Sequence, residues 1–172
     1  MPDIQEGRLT FTFPETWRVE KYDETSFHKK HFQNLAASKC VDIVAFNTQN
    51  DDSLWLIEVK DYRPPHQRSK RLDLYDEIAL KMRDTLASLF LAQRKTEAGV
   101  HEFAVEAAKK TRIRVVLHLE QPVKPSRLYP EVVERSRVRD KLRQKLRVID
   151  EHAIFCEMSN LHPGCAWIVT RT

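Results

Sequence analysis

Two acids and a lysine stand inside the most apolar part of this chain. Asp42 lies in the run Val41-Asp42-Ile43-Val44-Ala45-Phe46, and Glu58 and Lys60 lie in Leu54-Trp55-Leu56-Ile57-Glu58-Val59-Lys60. Asn47 to Ser53 is a turn by composition, so the two runs predict a β-hairpin. A symmetric loop makes residue 46 face 54, 44 face 56 and 42 face 58. Cross-strand neighbours have Cβ atoms about 5 Å apart, and strand alternation puts Lys60 on the face of Glu58. Three charges thus converge among Val, Ile, Leu and Phe, where unpaired charge is costly. A hard cation, Mg²⁺ or Mn²⁺, relieves the repulsion between paired carboxylates. It can supply a hydroxide and neutralise charge on a phosphoryl group, while a nearby lysine assists the water or stabilises the transition state. That is the equipment of metal-dependent phosphodiester hydrolysis. The plainer reading is an ion pair on an ordinary hairpin.

At these residues the chain resembles the PD-(D/E)xK nuclease superfamily, the restriction-endonuclease-like fold. The phrase Leu56-Ile57-Glu58-Val59-Lys60 is similar to a half-motif of archaeal Holliday-junction resolvases. The resemblance implies Asp42 and Glu58 as metal ligands, the Val59 carbonyl as a third, and Lys60 as the catalytic lysine. It also implies a polar residue on the following helix, Lys81 or Arg83, and an acid near the N-terminus, Glu20 or Glu24. Val41 stands where many members have Pro. The expected function is a Mg²⁺- or Mn²⁺-dependent deoxyribonuclease, with a non-cleaving nucleic-acid-binding or assembly subunit of the same fold as the alternative.

DNA is the expected partner, with a homodimer or partner subunit possible and no membrane. Residues 1–60 carry a net charge of −3, and residues 61–172 carry +7. Arg63, Arg68, Lys70 and Arg71 follow the Glu58–Lys60 run directly and suit phosphate contacts. In Arg135–Arg147, seven basic residues accompany one acid. Arg135, Arg139, Arg143 and Arg147 recur every four residues, a phosphate-contacting stripe if helical or simply a solvated helix face. His152, Cys156, His162 and Cys165 carry zinc-ligand types, but Cys156 sits in an apolar strand pattern that suits a core cysteine. Cys40 reads as packing. Trp17, Tyr22 and Phe27 suit either a core or a base-stacking surface.

The elements that must position these residues follow from periodicity. Leu9, Phe11 and Phe13 alternate as a strand ended by Pro14, while residues 15–37 fit both a strand and a helix. Asp73 is an N-cap for a helix with Leu74, Ile78, Met82, Leu86 and Leu89 inward, running to about Lys95; Trp55 and Ile57 are expected beneath it. Ile113–Leu119 is a buried strand, Glu131–Asp150 a basic helix, and Ala153–Met158 and Ala166–Thr170 closing strands. The predicted class is α/β, a mixed central sheet flanked by helices in a single domain of 1–172, with a core about 41–120 and the basic helix and closing strands in 131–172. The 172 residues include three glycines and three cysteines. Scarce glycine removes glycine-rich phosphate loops. Few cysteines suggest a reducing, cytoplasmic setting, and no stretch approaches the roughly 20 apolar residues of a membrane span.

Overall fold

The structure, a computed structural model, describes residues 1–49, 51–63, 73–96, 99–122 and 133–172. Its strands are β1 (Asp3–Glu6), β2 (Leu9–Thr12), β3 (Trp17–Lys21), β4 (Ile43–Asn47), β5 (Ser53–Asp61), β6 (Arg112–Glu120), β7 (Ile154–Cys156) and β8 (Ile168–Arg171). Its α-helices are α1 (Leu74–Ala92), α2 (His101–Ala107) and α3 (Arg135–Leu146). A five-stranded sheet has the order β3-β4-β5-β6-β7, and a three-stranded sheet has the order β1-β2-β8. The class is α/β, with a mixed sheet: β3, β4 and β5 pair antiparallel, while β5, β6 and β7 pair parallel.

Parallel neighbours need long crossovers. Here α1 and α2 make the first and α3 makes the second, and all three helices cover one face of the large sheet. Side-chain parity then divides the interior. Val44, Phe46, Leu54, Leu56, Val115 and Leu117 face the helices. Ile43, Ala45, Trp55, Ile57, Val59 and Val116 face the three-stranded sheet, which contributes Leu9, Phe11 and Val169. Trp17, Trp55 and Trp167 meet on this second side with ring centroids 5.3 to 6.1 Å apart. The expectation of Trp55 and Ile57 beneath α1 is therefore corrected. Odd-numbered residues of β5 point away from the helix, and a second sheet buries them.

Several expectations rest on local signals and agree with the structure. The hairpin pairs Val44 with Leu56 and Phe46 with Leu54. The Asp73 side chain accepts the Tyr75 N–H at 3.0 Å, capping α1. Residues 15–37 resolve into β3, a 3₁₀ turn over Tyr22–Glu24 and a single π turn over His28–Phe32. Trp17, Tyr22 and Phe27 are all buried, so they belong to the core and not to a stacking surface. The basic helix begins at Arg135, later than Glu131, with Glu134 at its N-cap. The last strand joins β2 in the smaller sheet and not the central one.

Candidate functional site

Asp42 sits one residue before β4 and is braced on three sides. Its backbone carbonyl accepts the Tyr22 N–H at 2.9 Å. Its Oδ2 accepts the Val59 N–H at 2.6 Å. Val41 N–H donates to Thr85 Oγ1 at 2.9 Å, and that hydroxyl donates to the Lys81 carbonyl at 2.7 Å. The strand end is thus tied to α1. Even-numbered positions of β5 face α1, which buries Glu58 completely.

Lys81 closes the group. Its Nζ lies 2.6 Å from Glu58 Oε1 and 3.3 Å from Asp42 Oδ1. These two contacts hold the carboxylates well within the roughly 8 Å beyond which one cation could not touch both. Lys60 Nζ lies 2.8 Å from Glu58 Oε1 and 2.9 Å from Glu77 Oε1. Asp42, Glu58 and Lys60 therefore meet on one face, as the hairpin register requires. Of the two helix candidates, Lys81 is in the cluster. Arg83 is exposed and pairs with Asp84 at 2.9 Å.

Burial dominates the electrostatics. It pushes the Glu58 carboxyl up to about 7, helped by the Asp42 carboxylate and opposed by Lys81 and Lys60. Glu58 Oε2 is buried without a hydrogen bond among the described residues. Burial by itself lowers Lys60 and Lys81, yet the facing carboxylates outweigh it and hold both above the ordinary lysine value. Burial likewise works against ionised Glu77, and Lys60 outweighs it, leaving that carboxyl low. Asp23 is the N-terminal acid that feels this group. Burial, then Asp42 and Glu6, push it up to about 6, and its Oδ1 is also buried with no hydrogen-bond partner among the described residues. Glu24 instead pairs with Lys21 at 2.7 Å, and Glu20 feels burial and Arg18. Sequence reasoning missed Asp23 because the 3₁₀ turn that presents it has no periodic signature. It also missed Glu77, although a Glu and a Lys four residues apart beside an apolar stripe were a usable signal.

The basic residues divide sharply. Arg63 is held by Asp61 through Nε and a terminal nitrogen at 2.9 and 2.8 Å. Arg135 donates from Nε to Glu157 at 2.9 Å. Arg139, Arg143 and Arg147 are exposed, and no acid pairs with them among the described residues. Arg68, Lys70 and Arg71 lie outside the described residues. Of the four zinc-type residues, Cys156 and Cys165 come together, while His152 points to Glu151 at 3.4 Å. Among the described residues no group of three or more His, Cys, Asp or Glu is placed to hold a metal ion. No described helix is long and apolar enough to cross a membrane.

No family model matches the chain, and no solved structure matches it. A curated relative is the cysteine–tRNA ligase of Neisseria meningitidis serogroup A, 38% identical over 162 aligned positions that take in 76% of this chain. The chain spans 23% of the length of that relative. This finding corrects the expectation of a DNA nuclease, and the hydrolase reading falls with it. The relative is an enzyme, but by name a ligase that acts with tRNA. The physical reason for the error is plain. Two acids and a lysine at this spacing describe any buried, mutually paired cluster, and the pairing alone does not specify hydrolysis.

Proposed function

We propose that this chain is a tRNA-handling part of an aminoacylation enzyme, working in the cytoplasm, and that α3 is the face that holds the nucleic acid. The observation that carries the reading is the row Arg139, Arg143 and Arg147, exposed and without acidic partners among the described residues, in a chain similar to a cysteine–tRNA ligase. Residues four apart on a helix rise about 6 Å along its axis. They therefore form a line of guanidiniums, each able to fork onto a phosphate. Lys141 lies on the other side of the helix, over the Tyr75 ring at 5.3 Å, and is not part of this row. The test is binding of a cysteine tRNA transcript against duplex DNA of similar length, at several salt concentrations. The expected result is tighter, salt-dependent binding of tRNA. Tighter binding of the DNA, or no salt-dependent tRNA binding, overturns it.

A second reading concerns the acids, and Glu58 Oε2, which has no hydrogen-bond partner among the described residues, favours it. Asp42, Glu58 and the Val59 carbonyl would hold Mg²⁺ or Mn²⁺, with Lys60 beside them. The cation would neutralise the carboxylates and polarise an oxygen bound to it. The Lys81 ammonium already bridges both acids, so a cation competes with it. Mn²⁺ titration followed by calorimetry should show a site that Asp42→Asn removes. Equal heats for both proteins would end this reading.

A further inference from the structure

A second cluster of reactive groups lies on the far side of the sheet from Glu58. Cys156 closes β7, and Cys165 follows a turn in which its N–H donates to the His162 carbonyl at 2.8 Å. Both thiols are free, and the two side chains pack in one cluster, close enough for each to bear on the other's ionisation. His118 Nδ1 lies 3.7 Å from Cys156 Sγ, and its Nε2 lies 3.0 Å from Glu120 Oε1. Burial works against ionised Glu120, but His118 and the Met158 N–H outweigh it and keep the carboxylate charged. It therefore accepts the Nε2 proton and leaves Nδ1 as an acceptor toward Cys156. Cys156 also lines a cleft of about 430 Å³ with Arg135, Arg139, Phe155, Glu157 and Asn160. Cys165 is half-buried.

We propose that Cys156 and Cys165 are a disulfide-forming pair, oxidised by a hydroperoxide, with Cys165 as the attacking sulfur and Cys156 as the resolving one. The neighbouring Cys156, the His162 backbone and Arg114 favour thiolate at Cys165, against the opposing effect of burial, and thiolate is the nucleophile. In the first step the Cys165 sulfur bonds to one peroxide oxygen, the O–O bond breaks, and hydroxide leaves. Cys165 is then a sulfenic acid. In the second step Cys156 gives its proton to His118 Nδ1 and attacks the Cys165 sulfur. The S–O bond breaks and the hydroxyl departs as water with that proton. With hydrogen peroxide, two thiols and one peroxide yield one disulfide and two waters, two electrons passing from sulfur to oxygen. Cys40 is the internal contrast. It is buried, and burial pushes its thiol up to about 12. The bond ties the end of β7 to the segment that leads into β8.

The inference stands independently of the tRNA reading, since its readout is sulfur chemistry. The folded full chain is treated with one equivalent of hydrogen peroxide, denatured, alkylated and mapped by mass spectrometry. The expected result is a Cys156–Cys165 cross-linked peptide, Cys40 alkylated, and an intact mass about 2 Da lower before alkylation, as loss of two hydrogens requires. In Cys156→Ser, dimedone should trap a sulfenic acid at Cys165. His118→Asn should slow closure of the disulfide while leaving the sulfenic acid step unchanged. Three alkylated cysteines in the wild type, or a cross-link that includes Cys40, overturns the proposal. The wild-type map decides even if a variant fails to fold.

Discussion

Glu58 and Arg143 are both charged residues on regular elements, yet they are used in opposite ways. Around Glu58, the acids Asp42 and Glu77 and the ammonium groups of Lys60 and Lys81 pair with one another between β5 and α1. Along α3, Arg139, Arg143 and Arg147 face solvent with no acid beside them among the described residues. A buried network pays its desolvation through internal partners, so its charges are committed inside the fold. Exposed, unpaired cations cost little to maintain and remain available to an external polyanion. The number of charged residues in a segment therefore says less about binding than which of them have found partners.

The sharpest way to break this contrast is Lys81→Met. It leaves Asp42 and Glu58 facing each other with one ammonium fewer, and should cost about 3–5 kcal/mol of stability in urea unfolding. A loss below about 1 kcal/mol would show that the cluster is well hydrated.

The next largest effect is on pH dependence. The carboxyl of Glu58 rises from its ordinary 4.5 to about 7 on folding. The folded protein then binds more protons than the unfolded chain, so this group opposes folding as pH climbs from about 4.5 to about 7. Stability should fall across that window by on the order of 3 kcal/mol and then level off. Glu58→Gln should make this fall shallower, with Asp23 keeping its own share below about 6; an unchanged slope assigns the titration elsewhere.

On the other side of the comparison, Arg139→Ala, Arg143→Ala and Arg147→Ala combined should leave the unfolding midpoint within about 0.5 kcal/mol. The same triple change should reduce the salt slope of tRNA binding by about 2–3. Smallest of all is Lys145→Ala on the same helix. Its partner Asp76 is exposed, and the unfolding curve should overlay that of the parent chain.

What could be read from the chain was local. The hairpin register followed from a loop between two apolar runs, and the Asp73 cap from one residue before an apolar stripe. The convergence of Asp42, Glu58 and Lys60 needed only that register. What failed depended on distant partners. Trp55 and Ile57 were assigned to the wrong face because nothing within β5 says that a second sheet lies below. Helix α2 has seven residues, too few for a periodic signal, and β1 is a short polar segment that gains its place through β2. The arginine row was visible, but its separation into tied Arg135 and free Arg139 required the position of Glu157. The choice of chemistry failed for another reason: a short acid–acid–lysine pattern is compatible with many activities.

The smaller sheet has its own implication for assembly. Its middle strand, β2, lies between β1 at one end of the sequence and β8 at the other, and Thr172 N–H donates to the Arg8 carbonyl at 3.0 Å. During synthesis the floor beneath Trp17, Trp55 and Trp167 stays unfinished until β8 emerges. Those rings remain open to water, or to a chaperone, longer than the helix-covered side does.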